Sequence, residues 1–276
     1  MLQRIYREEN RWYIFVGAGS GAADLITVRG ARLLGEADQI IYAGSLVNPE
    51  LLEYRKKGCL VHDSAGMTLE QVIGKIKEAE DKGMETVRLH TGDSSIYGAI
   101  REQMDFLDRL GITYDVCPGV SSFCGAAASM NLEYTLPGIS QSVIITRMAG
   151  RTPVPERESI ASFAAHRATM AVFLSTGMLG PLSKELIRGG YEKDTPAAIV
   201  YKATWPDEKK MLCTVGTLKE TAAREHITKT ALILVGDAIA HNCYERSKLY
   251  DPAFTTGFRT GLADEKGEHK DEAGNY

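Results

Sequence analysis

The amino-acid sequence predicts an α/β protein with two α/β domains, the first built on a mainly parallel sheet and the second on a mixed sheet. Three observations carry this prediction. In the first half of the chain, short apolar runs typical of buried strands alternate with stretches typical of helices. The breaker Pro137-Gly138 then interrupts the chain near its middle. A second series of strand-like and helix-like segments follows it.

The first domain is predicted to span 1–136. Strands that alternate with helices are joined by right-handed crossovers, so these strands should lie parallel. Thr68 and Gln71 have the spacing of a capping box, which supports a helix start at that point. The predicted strands are Tyr13–Val16, Gln39–Tyr42, Thr86–His90 and Thr113–Val116, and the predicted helices are Thr27–Glu36, Thr68–Lys82 and Tyr97–Leu110.

The second domain is predicted to span 137–250. Its strands and helices again alternate, but less regularly, which favours a mixed sheet. The predicted strands are Ser142–Thr146, Thr169–Ser175, Ala197–Tyr201, Leu212–Val215 and Ala231–Val235, and the predicted helices lie near Leu179–Gly189 and Thr217–Glu225. The tail 251–276 is rich in glycine, threonine and charge, so we expect it to be disordered.

Composition excludes several classes of protein. The net charge is −4, from 32 basic and 36 acidic residues. The chain therefore lacks the overall basic excess that would indicate a nucleic-acid partner. The sequence lacks an apolar run long enough to cross a bilayer, and its N-terminus carries charges where a signal peptide needs an apolar core; we therefore expect a cytoplasmic protein without a membrane partner. The five cysteines are scattered without a C-x-x-C pair, which favours reduced thiols. The six histidines show no metal-binding spacing, so no metal is expected.

A glycine-rich loop follows the first predicted strand, with Gly17, Gly19 and Gly21 at alternate positions. It lacks the lysine of a P-loop. With Ala22 it matches the dinucleotide pattern G-x-G-x-x-A, but Thr27 is the more natural helix N-cap and the next strand ends without an acidic residue. Three interpretations remain at this stage: a dinucleotide site, a tight strand-to-helix turn, and a loop that lines another ligand.

Further loops follow other predicted strands, where ligands bind in open α/β sheets. Asp93, in Thr91-Gly92-Asp93, either accepts hydrogen bonds from a ligand or caps a helix start. Small residues around Ser121-Ser122 permit close approach of a ligand or close helix packing. Arg147 and Arg151 suit carboxylate recognition, although a solvated basic loop is the alternative. Lys202 and the segment Thr176-Gly177-Met178 also follow strands.

Three of these loops together resemble motifs of the tetrapyrrole (precorrin) methyltransferase family. The resemblance extends from about Trp12 to Ala240, and two positions depart from it, since Ser20 and Ser94 stand where the family usually has proline. Three further stretches, Tyr42–Leu52, Ile145–Glu156 and Tyr201–Lys209, resemble one member in particular. The loops read Gly17-Ala18-Gly19-Ser20-Gly21, Gly92-Asp93-Ser94-Ser95-Ile96-Tyr97-Gly98 and Pro118-Gly119-Val120-Ser121-Ser122.

The resemblance implies a fold of the tetrapyrrole methylase type, with S-adenosylmethionine in the cleft between the domains, a tetrapyrrole in a trough, and a homodimer. Asp93 and Tyr97 would position the reactants, and no catalytic acid or base is assigned. The implied methyl-donor residues are Thr91, Gly92, Asp93, Ile96, Ser121, Ser122, Thr176, Met178, Ala198 and Leu232. The candidate substrate residues are Gly17, Gly19, Ser20, Gly21, Arg147, Arg151 and Lys202.

The activity that the resemblance implies is methylation of a ring carbon of a precorrin, with S-adenosylhomocysteine as the second product. A sulfonium methyl group is already activated, so its transfer needs neither a metal nor a covalent enzyme nucleophile. Three alternatives remain: methylation at a different ring carbon, an NAD-dependent precorrin reductase, and a non-catalytic tetrapyrrole carrier.

Overall fold

The computed structural model describes residues 12–44, 46–240 and 244–262, which form two five-stranded sheets. The first sheet has the strand order β3-β2-β4-β1-β5, and all of its strand pairs are parallel. Its strands are β1 (Tyr13–Gly17), β2 (Gln39–Tyr42), β3 (Leu60–Asp63), β4 (Thr86–His90) and β5 (Tyr114–Cys117). Its helices are α1 (Val28–Glu36), α2 (Leu69–Glu80), α3 (Ile100–Leu110) and α4 (Ser122–Met130).

The second sheet has the order β6-β7-β10-β8-β9. Only the β6–β7 pair is parallel, and the other three pairs are antiparallel. Its strands are β6 (Val143–Arg147), β7 (Thr169–Phe173), β8 (Pro196–Tyr201), β9 (Lys209–Thr214) and β10 (Ala231–Val235). Its helices are α5 (Ile160–Ala164), α6 (Leu179–Gly189) and α7 (Leu218–Arg224). The prediction of one parallel and one mixed sheet is confirmed.

Several elements differ from the sequence prediction. The short strand β3 and the one-turn helix α5 were not predicted; β3 is an edge strand whose side chains are mostly exposed, so it lacks a buried apolar run. Helix α3 begins at Ile100 and not at Tyr97, because Tyr97 and Ala99 have φ angles of 55° and 50°, outside the helical region. Strand β9 begins at Lys209, earlier than the predicted start at Leu212. Its first two residues are exposed lysines, so they do not form the apolar run on which the prediction relied.

The predicted boundary at 136/137 falls between α4 and β6 and stays a prediction. Within the predicted tail, the described part contains an isolated bridge between Thr256 and Arg259, and residues 263–276 lie outside the described residues. Among the described residues, no helix combines the length and the apolar character needed to cross a membrane.

Both faces of the first sheet are covered, which explains why β1 is apolar at every position before Gly17. Ile14 and Val16 pack on the α1 side, and Tyr13 and Phe15 pack on the α2 and α3 side. The alternation of a strand therefore supplies two core clusters from four consecutive residues. These clusters fix β1 between β4 and the edge strand β5.

Helix α4 joins the two sheets. Phe123 and Ala126 belong to the same apolar cluster as Ala198, Val200 and Leu232 of the second sheet. The small side chains along α4 allow its backbone to approach that sheet closely. Because α4 begins directly after the β5 loop, its packing also fixes where that loop lies relative to the second sheet.

The loops after β1, β4 and β5 meet backbone to backbone at the carboxyl edge of the first sheet. The Ala18 amide donates to the His90 carbonyl at 2.6 Å, and Gly19 and Gly92 exchange two backbone hydrogen bonds of 3.2 and 2.9 Å. A Cβ atom at Gly17 would lie 2.6 Å from the Cα of Gly119. Real Cβ atoms do not approach a backbone so closely, so Gly17 is required for this packing.

Gly17→Ala should therefore destabilise the protein by about 1–3 kcal/mol, the usual cost of overpacking a tight core. Gly74→Ala is the matched control, because Gly74 lies inside α2 with open space around its Cα. That control should stabilise the protein by about 0.5–1 kcal/mol, since alanine favours a helix. Urea unfolding measures both free energies, and equal values for the two variants would contradict the packing argument.

Candidate functional site

Asp93 ties the β4 loop to the β5 loop. One carboxylate oxygen accepts hydrogen bonds from the Ser95 amide at 2.9 Å and from the Ser95 hydroxyl, and the other accepts from the Gly119 amide at 2.8 Å. Partial burial alone would raise the pKa of Asp93, but the bonds from Ser95 and Gly119 together lower it below its ordinary value. Asp93 thus caps a turn and a neighbouring loop, and not the start of α3.

Gly92 faces the start of α4. Its φ angle is 62°, and a Cβ there would lie 3.5 Å from the Ser121 Cα and from the Ser122 amide nitrogen. Ser121 is the N-cap residue of α4 but forms no side-chain cap bond. Ser94 is 1% exposed, and its hydroxyl finds no partner among the described residues. The edge therefore offers small residues and uncommitted polar groups, as a ligand site requires.

A buried polar chain supports the β4 loop from behind. Arg88 donates to the Ile41 carbonyl at 3.1 Å and to Gln103 at 3.3 Å, and Gln103 donates to the Ala99 carbonyl at 3.2 Å. This chain holds the left-handed Ala99 against the sheet. Beside it, burial and then the charge of Arg88 lower the pKa of His90 to about 3, so the ring is neutral near pH 7.

Sequence reasoning missed Arg88 and Gln103. The available signal was a charged residue in the middle of the short strand β4, between the apolar residues Val87 and Leu89, together with a glutamine on the buried face of α3. Charged residues are rarely buried without a structural role. The role here is to hold the loop, because neither side chain is at the sheet edge that carries Asp93.

The second sheet carries the other predicted methyl-donor residues. The Thr176 hydroxyl donates to the Ala231 carbonyl at 3.0 Å and accepts from the Ala231 amide at 3.2 Å, which fixes it beside Leu232. The Met178 sulfur would lie 3.4 Å from a Cβ at Gly150, so its side chain packs on the loop after β6.

Two contacts bring the two groups of predicted donor residues to the same region. Ala198 and Leu232 lie in the cluster that α4 covers, and α4 itself begins next to Ser121. The rings of Tyr97 and Phe173 are 5.5 Å apart, which joins the end of the β4 loop to the end of β7. Thr91 is exposed and Ile96 half-buried on the same loop. The predicted donor set thus flanks the contact between the two sheets.

Other parts of the protein fill the space around the glycine-rich loop. Gly19 has a φ of 84°, which favours glycine, and the Trp205 indole fills the space where a side chain at Gly21 would lie. Helix α1 begins only at Val28, with Thr27 as its N-cap accepting from Gly30 at 3.0 Å. The prediction of a late helix start is confirmed, and it removes the geometry of a dinucleotide site.

A cavity of about 410 Å³ opens beside this loop, between it and the β8–β9 hairpin. Two carboxylates, Asp24 and Glu50, and the rings of Tyr54 and Trp205 line it. None of the predicted donor residues belongs to it. A smaller cavity of about 240 Å³, lined partly by Arg167 and Asp237, lies by Pro196 at the start of β8.

The three candidate cations differ in their availability. Arg147 donates to the Met148, Thr152 and Pro153 carbonyls at 2.8–3.2 Å, so its guanidinium holds its own loop. Lys202 pairs with Asp207 at 2.7 Å, and this hydrogen bond raises the pKa of Lys202. Arg151 is exposed, and its guanidinium is in none of the ion pairs between described residues.

Metal-ligating side chains do not cluster in the parts of the chain that the structure describes: no group of three or more His, Cys, Asp or Glu residues there could hold an ion. Four cysteines, Cys59, Cys117, Cys124 and Cys213, are free thiols.

Residues 14–219 match the family model of the Tetrapyrrole (Corrin/Porphyrin) Methylases. The chain is 50% identical over 252 residues to the cobalt-precorrin-4 C(11)-methyltransferase of Methanocaldococcus jannaschii, covering 91% of this chain and 97% of the relative.

Two solved structures share the fold. The X-ray structure of a cobalt-precorrin-4 methyltransferase aligns with a TM-score of 0.81 and 46% identity, over 83% of this chain and 95% of that one. The uroporphyrin-III C-methyltransferase of Thermus thermophilus, complexed with S-adenosylhomocysteine, aligns with a TM-score of 0.71 and 25% identity, over 83% and 99%. The chain described here therefore belongs to the tetrapyrrole methylase family.

Proposed function

We propose that this chain transfers the methyl group of S-adenosylmethionine to ring carbon 11 of precorrin-4 or cobalt-precorrin-4, giving the corresponding precorrin-5 in cobalamin biosynthesis. The observation that carries the proposal is the 50% identity, over nearly the whole relative, to a protein named for this reaction. The three loop motifs that carry the family resemblance are in contact with one another at one sheet edge, which supports the same reading.

The predicted donor residues suit S-adenosylmethionine. Gly92, Ser121 and Ser122 present small side chains and backbone groups to the same space, and Ala198 and Leu232 supply apolar surface. The orphaned Ser94 hydroxyl is a buried polar group that a bound nucleoside or amino acid could satisfy. When bound, this cofactor supplies an activated methyl group.

The protein's contribution is positioning. Asp93 holds two donor loops in a fixed relation, and the Arg88–Gln103 chain fixes the following left-handed turn. Holding two reactants in line can supply several kcal/mol, up to roughly 7–11 in ideal cases. Tyr97, whose ring packs on Phe173, is the residue that we propose orients the reactants at this contact. No side chain is assigned as a base.

Precorrins carry several acetate and propionate groups, so cationic side chains should orient them. Arg151 is the best placed of the candidates because its guanidinium is exposed and outside any described ion pair. Lys202 could serve after leaving Asp207, whereas Arg147 acts through the loop that it holds. The backbone of Gly17, Gly19, Ser20 and Gly21 stays a predicted lining of the trough.

The alternatives are less well supported. Methylation at a different ring carbon would use the same site and differs only in how the substrate is oriented. An NAD-dependent reductase is disfavoured because α1 begins late and β2 is not followed by an acidic residue at Ala43 or Gly44. A non-catalytic carrier would bind precorrin without using the methyl donor.

A cytoplasmic location and a homodimer complete the proposal. The four free thiols suit a reducing compartment. Large apolar side chains remain exposed in the described C-terminal segment, among them Tyr250 at 68% and Leu262 at 72%, and a second subunit could cover them. Light scattering should then give twice the chain mass of 30.2 kDa.

Incubation with precorrin-4 and with cobalt-precorrin-4, using a donor labelled with ¹³C in its methyl group, tests the reaction itself. We expect one labelled methyl group on carbon 11 in the product NMR spectrum, and the relative rates identify the preferred form of the substrate. Label on another ring carbon would support the same-fold alternative. Precorrin binding without any transfer would support the carrier.

Asp93→Ala and Arg151→Ala should separate the two binding sites. Loss of the charged hydrogen bonds to Ser95 and Gly119 should weaken S-adenosylhomocysteine binding by about ten-fold or more, with a smaller effect on tetrapyrrole affinity. Arg151→Ala should raise the substrate KM by about five-fold with donor affinity unchanged. Calorimetry and steady-state kinetics measure both, and a reversed order of losses would contradict the assignment.

A further inference from the structure

The hairpin that joins β8 to β9, residues 202–208, lies against the glycine-rich loop. Its turn is closed by bonds of 3.0 Å from the Trp205 amide to the Lys202 carbonyl and from the Glu208 amide to the Trp205 carbonyl. Lys202 and Thr204 have φ angles of 45° and 68°, which side chains of this kind rarely adopt. Such strain persists only where surrounding contacts impose it.

Thr204 makes those contacts. Its hydroxyl accepts a hydrogen bond from the Ala22 amide at 3.1 Å and pairs with the Ser20 hydroxyl at 3.0 Å, where either oxygen can donate. Its own amide donates to the Glu208 carboxylate at 2.6 Å. Ser20 is only 8% exposed, so little water competes for the hydroxyl pair. One residue of the second half thus fixes two positions of the glycine-rich loop.

Helix α4 closes the third side of this contact. The Glu208 oxygen that binds the Thr204 amide also accepts from the Ser129 hydroxyl of α4. A Cβ at Gly125 would lie 2.6 Å from the Ser20 hydroxyl and 3.3 Å from the Thr204 methyl group. The loop, the hairpin and the helix therefore meet without spare room.

Ser20 stands where the family usually has proline. A proline would stiffen the loop through its ring and would carry no hydroxyl. In this chain the restriction comes from the pair with Thr204 across 184 positions of sequence. Ala22, Thr204 and Trp205 then form part of the wall of the 410 Å³ cavity, so a shift of the loop would change its shape.

We propose that Thr204 is a positioning residue, which holds the glycine-rich loop in place through Ser20 and the Ala22 amide and thereby fixes the surface that this loop is predicted to present to the tetrapyrrole. This inference rests on the proposed function. Thr204 acts on substrate binding through the loop and takes no part in the methyl transfer. The methyl-donor residues lie around Gly92 and Thr176, so donor affinity should not depend on it.

Thr204→Val preserves the shape of the side chain and removes its hydroxyl. We expect the KM for the preferred precorrin-4 form to rise about five-fold, with the Kd for S-adenosylhomocysteine within two-fold of wild type. Amide exchange across residues 18–24 should become faster. Thr204→Ser retains the hydroxyl and should keep the wild-type KM.

Two further variants sharpen the test. Thr214→Val removes a similar hydroxyl pair, Thr214 with Thr217 at 3.1 Å, at the opposite end of β9, and should leave the KM unchanged. Ser20→Ala should raise the KM, and adding it to Thr204→Val should have no further effect, because Thr204→Val already removes the partner of the Ser20 hydroxyl. Additive effects would overturn the direct coupling.

The failures are distinguishable. Suppose that the wild type is active and that Thr204→Val changes neither the KM nor the amide hydrogen exchange of residues 18–24. That result would overturn the positioning role alone. Equal losses of donor and substrate binding in that variant would also overturn it, because they would indicate a general structural defect. A wild-type protein that methylates neither form of precorrin-4 would overturn the proposed function, and the positioning role with it.

Discussion

The backbone-to-backbone contact of three loops at the carboxyl edge of the first sheet is the constraint on which the rest of the structure depends. Parallel strands bring the ends of β1, β4 and β5 to one edge, but only glycine allows the loops to touch there. Gly17 lies against Gly119, and Gly19 pairs with Gly92. Asp93 then stabilises this arrangement, because its carboxylate accepts a hydrogen bond from the Gly119 amide. This contact positions Gly92 and Asp93, which are predicted to bind the methyl donor.

This constraint gives the glycines a role that differs from the one their spacing suggested. A G-x-G pattern after a strand is typical of loops that admit a phosphate. Here the space at Gly17 is taken by another loop, and the space at Gly21 is taken by Trp205 of the second half. The pattern therefore allows the three loops to pack together, while the residues predicted to bind the methyl donor lie on the neighbouring loops.

Much of the fold could be predicted from the sequence, because buried strands such as β1 and β10 are almost entirely apolar and the helix caps at Thr27 and Thr68 are local signals. The contact between the β1, β4 and β5 loops also agrees with the sequence, because these loops follow parallel strands. What could not be predicted depends on distant contacts: the pairing of Ser20 with Thr204 and the hydrogen bond from Arg88 to the Ile41 carbonyl.

The late start of α3 has the same origin. Tyr97 and Ala99 adopt left-handed backbone angles that their own residue types disfavour, so only tertiary contacts can impose them. For Tyr97 the contact is with Phe173 of the second half, and for Ala99 it is the buried polar chain from Arg88. Local propensity continues the helix back to Tyr97, and packing overrides it.

The central claim is that the donor binds where the β4 and β5 loops face the second sheet, and not at the glycine-rich loop. A crystal structure of the protein with S-adenosylhomocysteine tests it most directly. We predict density beside Gly92, Ser121 and Thr176. Density in the cavity lined by Asp24, Glu50 and Trp205 would contradict the account.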